Sequence, residues 1–222
     1  MRSNVLNSSF RLIVFDLDGT LIDSRRDIAE SANALLEACG ATPLPEDRVG
    51  RMVGDGAAVL VARAFAAAGI AAPADALERF VAIYGERLLR HTRPYPRIPE
   101  VLAQLARRAT LALLTNKPRA ATEQILDGLD LARYFGTAIV AGDGTFPRKP
   151  DPSGLLHLLG AARVSKTATV LVGDSTIDWR TAQAASTAIC LARYGFGFEG
   201  ISPADLGPAD RLVNAPAELL SL

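Results

Sequence analysis

The chain has 222 residues, enough for one large domain or two small ones. Hydrophobic residues make up 49% and charged residues 22%, the make-up of an ordinary globular protein and not of a disordered or fibrous one. With 24 basic and 24 acidic side chains the formal net charge is zero, which excludes a general electrostatic attraction to nucleic acid or to an anionic membrane.

In chain order, LIVF at 12–15 opens a β-strand. Residues 24–93 then carry three helical patterns and no good strand. The first is SRRDIAESANALLEACG, with Ile28, Ala32, Leu35, Leu36 and Cys39 at helix spacing; GAAVLVARAFAAAG and ALERFVAIYGERLLRHT follow. Gly40, Gly69, Pro43 and Pro45 punctuate them. Beyond this segment, helix and strand alternate: IPEVLAQLARR (98–108), LALLT (111–115), ATEQILDGLD (121–130), TAIV (137–140), SGLLHLLGAA (153–162), ATVLVG (168–173), TIDWRTAQAA (176–185) and TAICLA (187–192). Nearly continuous apolarity over about five residues suits strands covered on both faces. The fold expected is therefore α/β, an open parallel, Rossmann-like sheet flanked by helices, with an inserted α-helical cap domain. Residues 1–22 and 94–222 form the core in this reading and 23–93 the cap, with hinges near 22–24 and 93–96.

Two cysteines, Cys39 and Cys190, lie far apart in apolar surroundings and read as free thiols. The N-terminal MRSNVLNSSFR lacks the apolar core of a leader, and no apolar run approaches the ~20 residues that span a bilayer. A cytoplasmic location without membrane or nucleic-acid partners is the expectation; monomer and homodimer stay open.

Ligands of open parallel sheets bind beyond the carboxyl ends of the strands. The first strand ends in Asp16 and Asp18, the second in Thr115, Asn116 and Lys117; the third leads to Lys149 in RKPDP, and the fourth ends in Asp174, with Asp178 four residues on. Each cluster has an ordinary structural alternative: a helix cap for Thr115 and Asn116, a solvated charge for Lys149, a turn for Gly173–Ser175, a first-turn acid for Asp178. Their coincidence at four strand ends favours a site.

Asp16 and Asp174, brought together from neighbouring strands, repel one another unless a cation separates them. An oxygen-only set without His or Cys selects a hard ion, Mg2+, which completes its shell with water and phosphate oxygens. A small phosphorylated metabolite is the partner this implies. Lys149 then offsets the repulsion between a carboxylate nucleophile and a phosphate, while Thr115 and Asn116 donate to its oxygens. Asp16 and Asp18, one residue apart on extended chain, face the same way: Asp16 attacks, and Asp18 carries the proton. Gly19 lets the backbone turn close to the substrate.

FDLDGTLIDS, LLTNKP, RKPDP and GDSTIDWRTAQAA, in this order, resemble the four motifs of the haloacid dehalogenase superfamily, with the helical insert in the position of its first type of cap. The resemblance implies Asp16 as nucleophile and Asp18 as acid/base that also offers a main-chain carbonyl to Mg2+. It implies further Thr115 and Lys149 as phosphoryl ligands, Asp174 as metal ligand, and Asp178 as a second layer behind the metal or Lys149. RMVGDGAAVLVARAF, TRPYP, TNKP, YGFG and LGPADRLVNAPAEL are most similar to bacterial phosphoglycolate phosphatases. Two departures stand out: Arg97 where that family carries a glycine, and Trp179 where it carries a smaller apolar residue.

In the cap, VGDG at 53–56 precedes a helix, so the N–H groups of Gly54 to Gly56 are expected to receive a substrate carboxylate, unless the glycines only make the turn. Arg51 is a second candidate anion contact. Residues 24–96 contain no lysine, which argues against a cap Schiff base of the phosphonate-hydrolase kind. Asp18 argues against a dehalogenase. Sugar-phosphate phosphatase, pyrophosphatase, phosphomutase and a non-catalytic binding module are the alternatives.

Overall fold

The computed structural model describes residues 10–198 and 200–222. The N-terminal stretch read above as lacking a leader lies, for residues 1–9, outside the described residues. Among the described residues no helix is long and apolar enough to cross a membrane.

Strand β1 (Leu12–Phe15) is completely buried. It pairs in parallel with β4 (Thr110–Leu114) on one side and β6 (Thr169–Gly173) on the other, Leu12 standing opposite both Thr110 and Thr169. With β5 (Ile139–Val140), β7 (Ala188–Ala192) and β8 (Arg211–Val213) they form a six-stranded sheet, ordered β5-β4-β1-β6-β7-β8, in which every pairing is parallel. Alternation along β1 sends Ile13 and Phe15 to one face and Leu12 and Val14 to the other. On the first face they meet helices α5 (Ile98–Leu105) and α6 (Arg119–Gly128) through Leu102 and Ile125. On the second they meet α7 (Ser153–Ala162) and α8 (Thr176–Ala185) through Leu155 and Ala182. Burial on both faces explains the unbroken apolar run, at about 1.5–3 kcal/mol for each large side chain removed from water. The chain winds outward from β1 through β4 to β5, then returns to β6 on the opposite side. This reversal opens a crevice at the end of β1.

The structure departs from the expected elements in three places. Between β1 and α5 it holds four helices where three patterns were read: α1 (Arg25–Ala38), α2 (Glu46–Gly50), α3 (Ala57–Ala68) and α4 (Ala76–Gly85). Helix α2 spans five residues, too few to display a period. The chain leaves the sheet at β2 (Ile22–Asp23) and returns at β3 (Arg93–Pro94), and these two residues from each crossing pair antiparallel, Ile22 with Pro94 and Asp23 with Arg93. Pro94 argues against a strand in a sequence reading, because it withholds a donor; at this two-stranded edge it is tolerated. β8, three residues long, was not anticipated.

The crossing is fastened by Asp27, fully buried in the first turn of α1. Its carboxylate accepts hydrogen bonds from the N–H groups of His91 (2.9 Å) and Thr92 (2.7 Å) and from the Thr92 hydroxyl (2.7 Å).

Both departures from the family pattern have a definite place. Trp179 packs against the α7/α8 face of the sheet. Arg97 is exposed and caps the N-terminus of α5 in a left-handed conformation, φ 70° and ψ 5°. That conformation costs a residue with a Cβ about 1–2 kcal/mol, and a cation at a helix N-terminus opposes the dipole. Arg97→Gly is therefore expected to stabilise the fold by about 1 kcal/mol and raise Tm by about 2–4 °C in a thermal melt. A lower Tm would contradict this account of the turn.

Candidate active site

Asp16 follows β1 directly and stays in the sheet's register, its N–H donating to the Val172 carbonyl (2.8 Å). Its carboxylate is buried and accepts from Lys149 Nζ at 2.8 Å. The same ammonium donates to Asp178 Oδ1 at 2.6 Å. Asp178 does two jobs at once: its other oxygen accepts from the Ser175 hydroxyl (2.6 Å), closing a capping box at the start of α8. The first-turn acid and the site residue are one group.

Asp174, at the end of β6, is buried, and its Oδ2 accepts from the Gly197 N–H (2.7 Å). Gly19, at φ 83°, is required by this approach: a Cβ there would lie 2.0 Å from Asp174 Oδ2. Oxygens of Asp16, Asp174 and Asp178 lie within 4.8 Å of one another.

Three buried carboxylates share one ammonium, so negative charge is in excess. Desolvation first, and the charge on Asp178 second, push the Asp174 carboxyl well above its ordinary range. Burial likewise pushes Asp16 up to about 7, against the pull of Lys149. Lys149 is held above the usual lysine range, the two carboxylates outweighing its burial. An oxygen-only donor set with surplus negative charge fits a hard divalent cation such as Mg2+.

Asp18 lies apart from this group. Its carboxylate accepts from the Ser24 hydroxyl (2.5 Å) and from Lys117 Nζ (2.9 Å to each oxygen). Among the metal assignments made from sequence, Asp16 and Asp174 thus meet through their side chains, whereas Asp18 keeps only its main-chain carbonyl for that part.

Thr115 closes β4 and is buried, its Oγ1 accepting from the Lys117 N–H (3.2 Å). Asn116, expected to donate to substrate, is engaged by the protein. Its two amide hydrogens go to the carbonyls of Gly54 (2.8 Å) and Lys149 (2.9 Å), and its Oδ1 accepts from the Lys149 N–H (2.8 Å). It is a clamp on the Lys149 main chain and a tie to the loop before α3.

A cavity of about 190 Å³ lies over these groups. Its floor is polar, with Asp16, Asp18, Thr115, Lys117 and Asp174; its roof is apolar, with Ile28, Leu60, Phe80, Val81 and Leu88. Gly54 and Gly56 line it, but Arg51 does not and is exposed. Sequence reasoning placed Lys117 at a strand end without giving it a role, and missed Tyr84. Lys117 Nζ sits 4.8 Å from the centroid of the Tyr84 ring, so it links the floor to α4. Lys117 stands inside TNKP, where adjacency to Asn116 was a usable signal; Tyr84 merely continued an apolar helix stripe.

The chain matches the haloacid dehalogenase-like hydrolases over residues 13–192. It belongs to this family. Among curated relatives, the phosphoglycolate phosphatase of Rhodospirillum rubrum is 38% identical over 86% of this chain and 83% of that one. The plasmid-encoded phosphoglycolate phosphatase of Cupriavidus necator is 38% identical over 95% and 91%. Of solved structures, a predicted phosphoglycolate phosphatase from Haemophilus somnus superposes with a TM-score of 0.87 at 31% identity, covering 95% of this chain and 96% of that one.

The raised carboxyls set a pH dependence. Folded Asp16 and Asp174 hold protons that exposed aspartates release near 3.8, so the stability this adds is complete below about pH 3.8 and is lost as pH rises, for Asp16 through about 7. A cation bound only by the folded site restores it by mass action. Chelated protein should lose Tm between about pH 5 and pH 8, and Mg2+ should raise Tm more at the higher pH. Equal Mg2+ shifts at both pH values would count against the cluster as the metal site.

Proposed function

We propose that the protein is a Mg2+-dependent phosphomonoester hydrolase working through an aspartyl phosphate on Asp16, with 2-phosphoglycolate as substrate and residues 23–93 as its cap. The observation that carries the reading is the buried ammonium of Lys149, held by Asp16 at the sheet's crevice with Asp18 two residues on.

A carboxylate approaching a phosphate dianion meets repulsion of about 4 kcal/mol per charge pair at ~4 Å and an effective dielectric of ~20. Lys149 offsets part of it from a fixed position, since Asn116 holds its main chain on both sides. Bound at Asp16, Asp174 and the main-chain carbonyl of Asp18, Mg2+ would supply the remaining neutralisation, with Asp178 behind it. An Asp16 oxygen attacks phosphorus, and the phosphorus–oxygen ester bond breaks. Asp18, entering protonated, gives its proton to the departing alkoxide and is left as the carboxylate that Lys117 holds; it then takes a proton from the water that attacks the same phosphorus, releasing Asp16 and inorganic phosphate. Thr115 donates its hydroxyl to a phosphoryl oxygen. The apolar roof keeps bulk water from the intermediate. Gly54 and Gly56 line the cavity before α3, so main-chain N–H groups there are available to one oxygen of the glycolate carboxylate.

Mg2+-dependent phosphate release from p-nitrophenyl phosphate and 2-phosphoglycolate tests this reading. Asp16→Asn is expected to reduce turnover to background; substantial residual rate would sink the nucleophile assignment. In a panel of phosphorylated acids and sugars ranked by kcat/KM, 2-phosphoglycolate is expected to lead. A hexose phosphate preferred by more than about tenfold, some 1.4 kcal/mol, would overturn the substrate.

A further inference from the structure

Tyr84 ends the run of side chains that α4 turns toward the cavity, and it is 7% exposed. Its hydroxyl oxygen is buried beside the Lys117 ammonium, and no group among the described residues accepts its proton. Two other hydroxyls are buried without an acceptor, on Thr20 and Tyr95, but of the three residues only Tyr84 lines the cavity over the catalytic floor. Buried polar groups in folded proteins are nearly always paired, with protein, water or ligand, so an unpaired donor inside a ligand cavity is available to whatever fills it.

The ring is held in place by its neighbours. Phe80, one helical turn earlier, stacks on it at 5.7 Å and 15°. The Lys117 ammonium faces it at 4.8 Å from the ring centroid while donating to both oxygens of Asp18. The hydroxyl is thereby positioned relative to the group that serves the leaving oxygen. Every other side chain that residues 23–93 place on the cavity is apolar or absent: Ile28, Leu60, Phe80, Val81 and Leu88 offer no donor, and Gly54 and Gly56 offer main chain only. Tyr84 is the one side-chain donor on that side among the described residues, and burial pushes its hydroxyl up to about 12, so at neutral pH it carries its proton.

We propose that Tyr84 is a specificity-determining residue, its hydroxyl donating to the carboxylate of a phosphorylated small carboxylic acid beside the Lys117 ammonium. A donor and a cation on one wall suit an anionic acceptor, and the apolar remainder of the roof rejects a polyhydroxylated leaving group, whose hydroxyls it cannot pair. The inference rests on the phosphatase reading above and names the part of the substrate that the cap recognises.

Tyr84→Phe removes the hydroxyl and keeps the ring, its stack and its cation contact. The test compares kcat/KM for 2-phosphoglycolate with that for ethyl phosphate, which has the same two-carbon length without the carboxylate, in wild type and variant. The ratio of the two values is expected to fall about tenfold or more in Tyr84→Phe. An unchanged ratio overturns the inference, whichever way the individual values move. Because no group accepts the lost proton and Lys117 keeps both oxygens of Asp18, Tm of the variant is expected to hold; a fall of several degrees shows a structural hydroxyl and overturns the inference as well. A wild-type protein that hydrolyses neither ester overturns the phosphatase reading, and this one with it.

Discussion

Three carboxylates with one ammonium between them, all out of water, are the constraint around which this molecule is arranged. Such a group is tolerated only if each charge is held at a fixed distance and its spare lone pairs are used. The strands provide the distances: Asp16 directly follows β1 and Asp174 directly follows β6, its parallel neighbour. Helix α8 provides Asp178, whose second oxygen is spent on its own N-cap. Lys149 comes from a loop, the least predictable part of a sheet protein, so it needs support from elsewhere, and Asn116 supplies it by bonding both the N–H and the carbonyl of that residue.

That dependence explains what could be read in advance. β1 and β6 are unmistakable because both faces are covered and no polar residue interrupts them, and the acids at their ends stand out by contrast. Lys149 was legible only through its motif. Asn116 was misassigned because an amide can serve a ligand or a main chain with the same atoms, and its partners lie 33 and 62 residues away. Arg51 was a reasonable anion contact by charge, but the turn that carries it faces solvent. β2, β3 and α2 were missed for a common reason: elements of two to five residues have no period, and their pairing is decided by partners distant in sequence.

The cavity is divided chemically along the same line as the chain. Its polar floor comes from strand ends and its apolar roof from the inserted helices. Two side chains cross that line. Asn116 reaches up to the Gly54 carbonyl, and Lys117 reaches up to the face of Tyr84 while it grips Asp18. The roof is therefore tied to the floor by the residues that immediately follow Thr115, and one short turn after β4 connects the position of the helical segment to the geometry of Asp18.

Asp174 is enclosed by absent side chains as much as by present ones. A Cβ at Gly19 or at Gly195 would come within 2.4 Å of its carboxylate oxygen, so the two glycines together shape the space it occupies. Neither is needed for chemistry, yet any replacement displaces the carboxylate. In a survey of random variants both positions would score as intolerant as Asp16 itself. Mutational sensitivity in this family therefore maps the shape of the anionic site along with its reactive atoms, and intolerance at a glycine is not by itself a sign of a catalytic role.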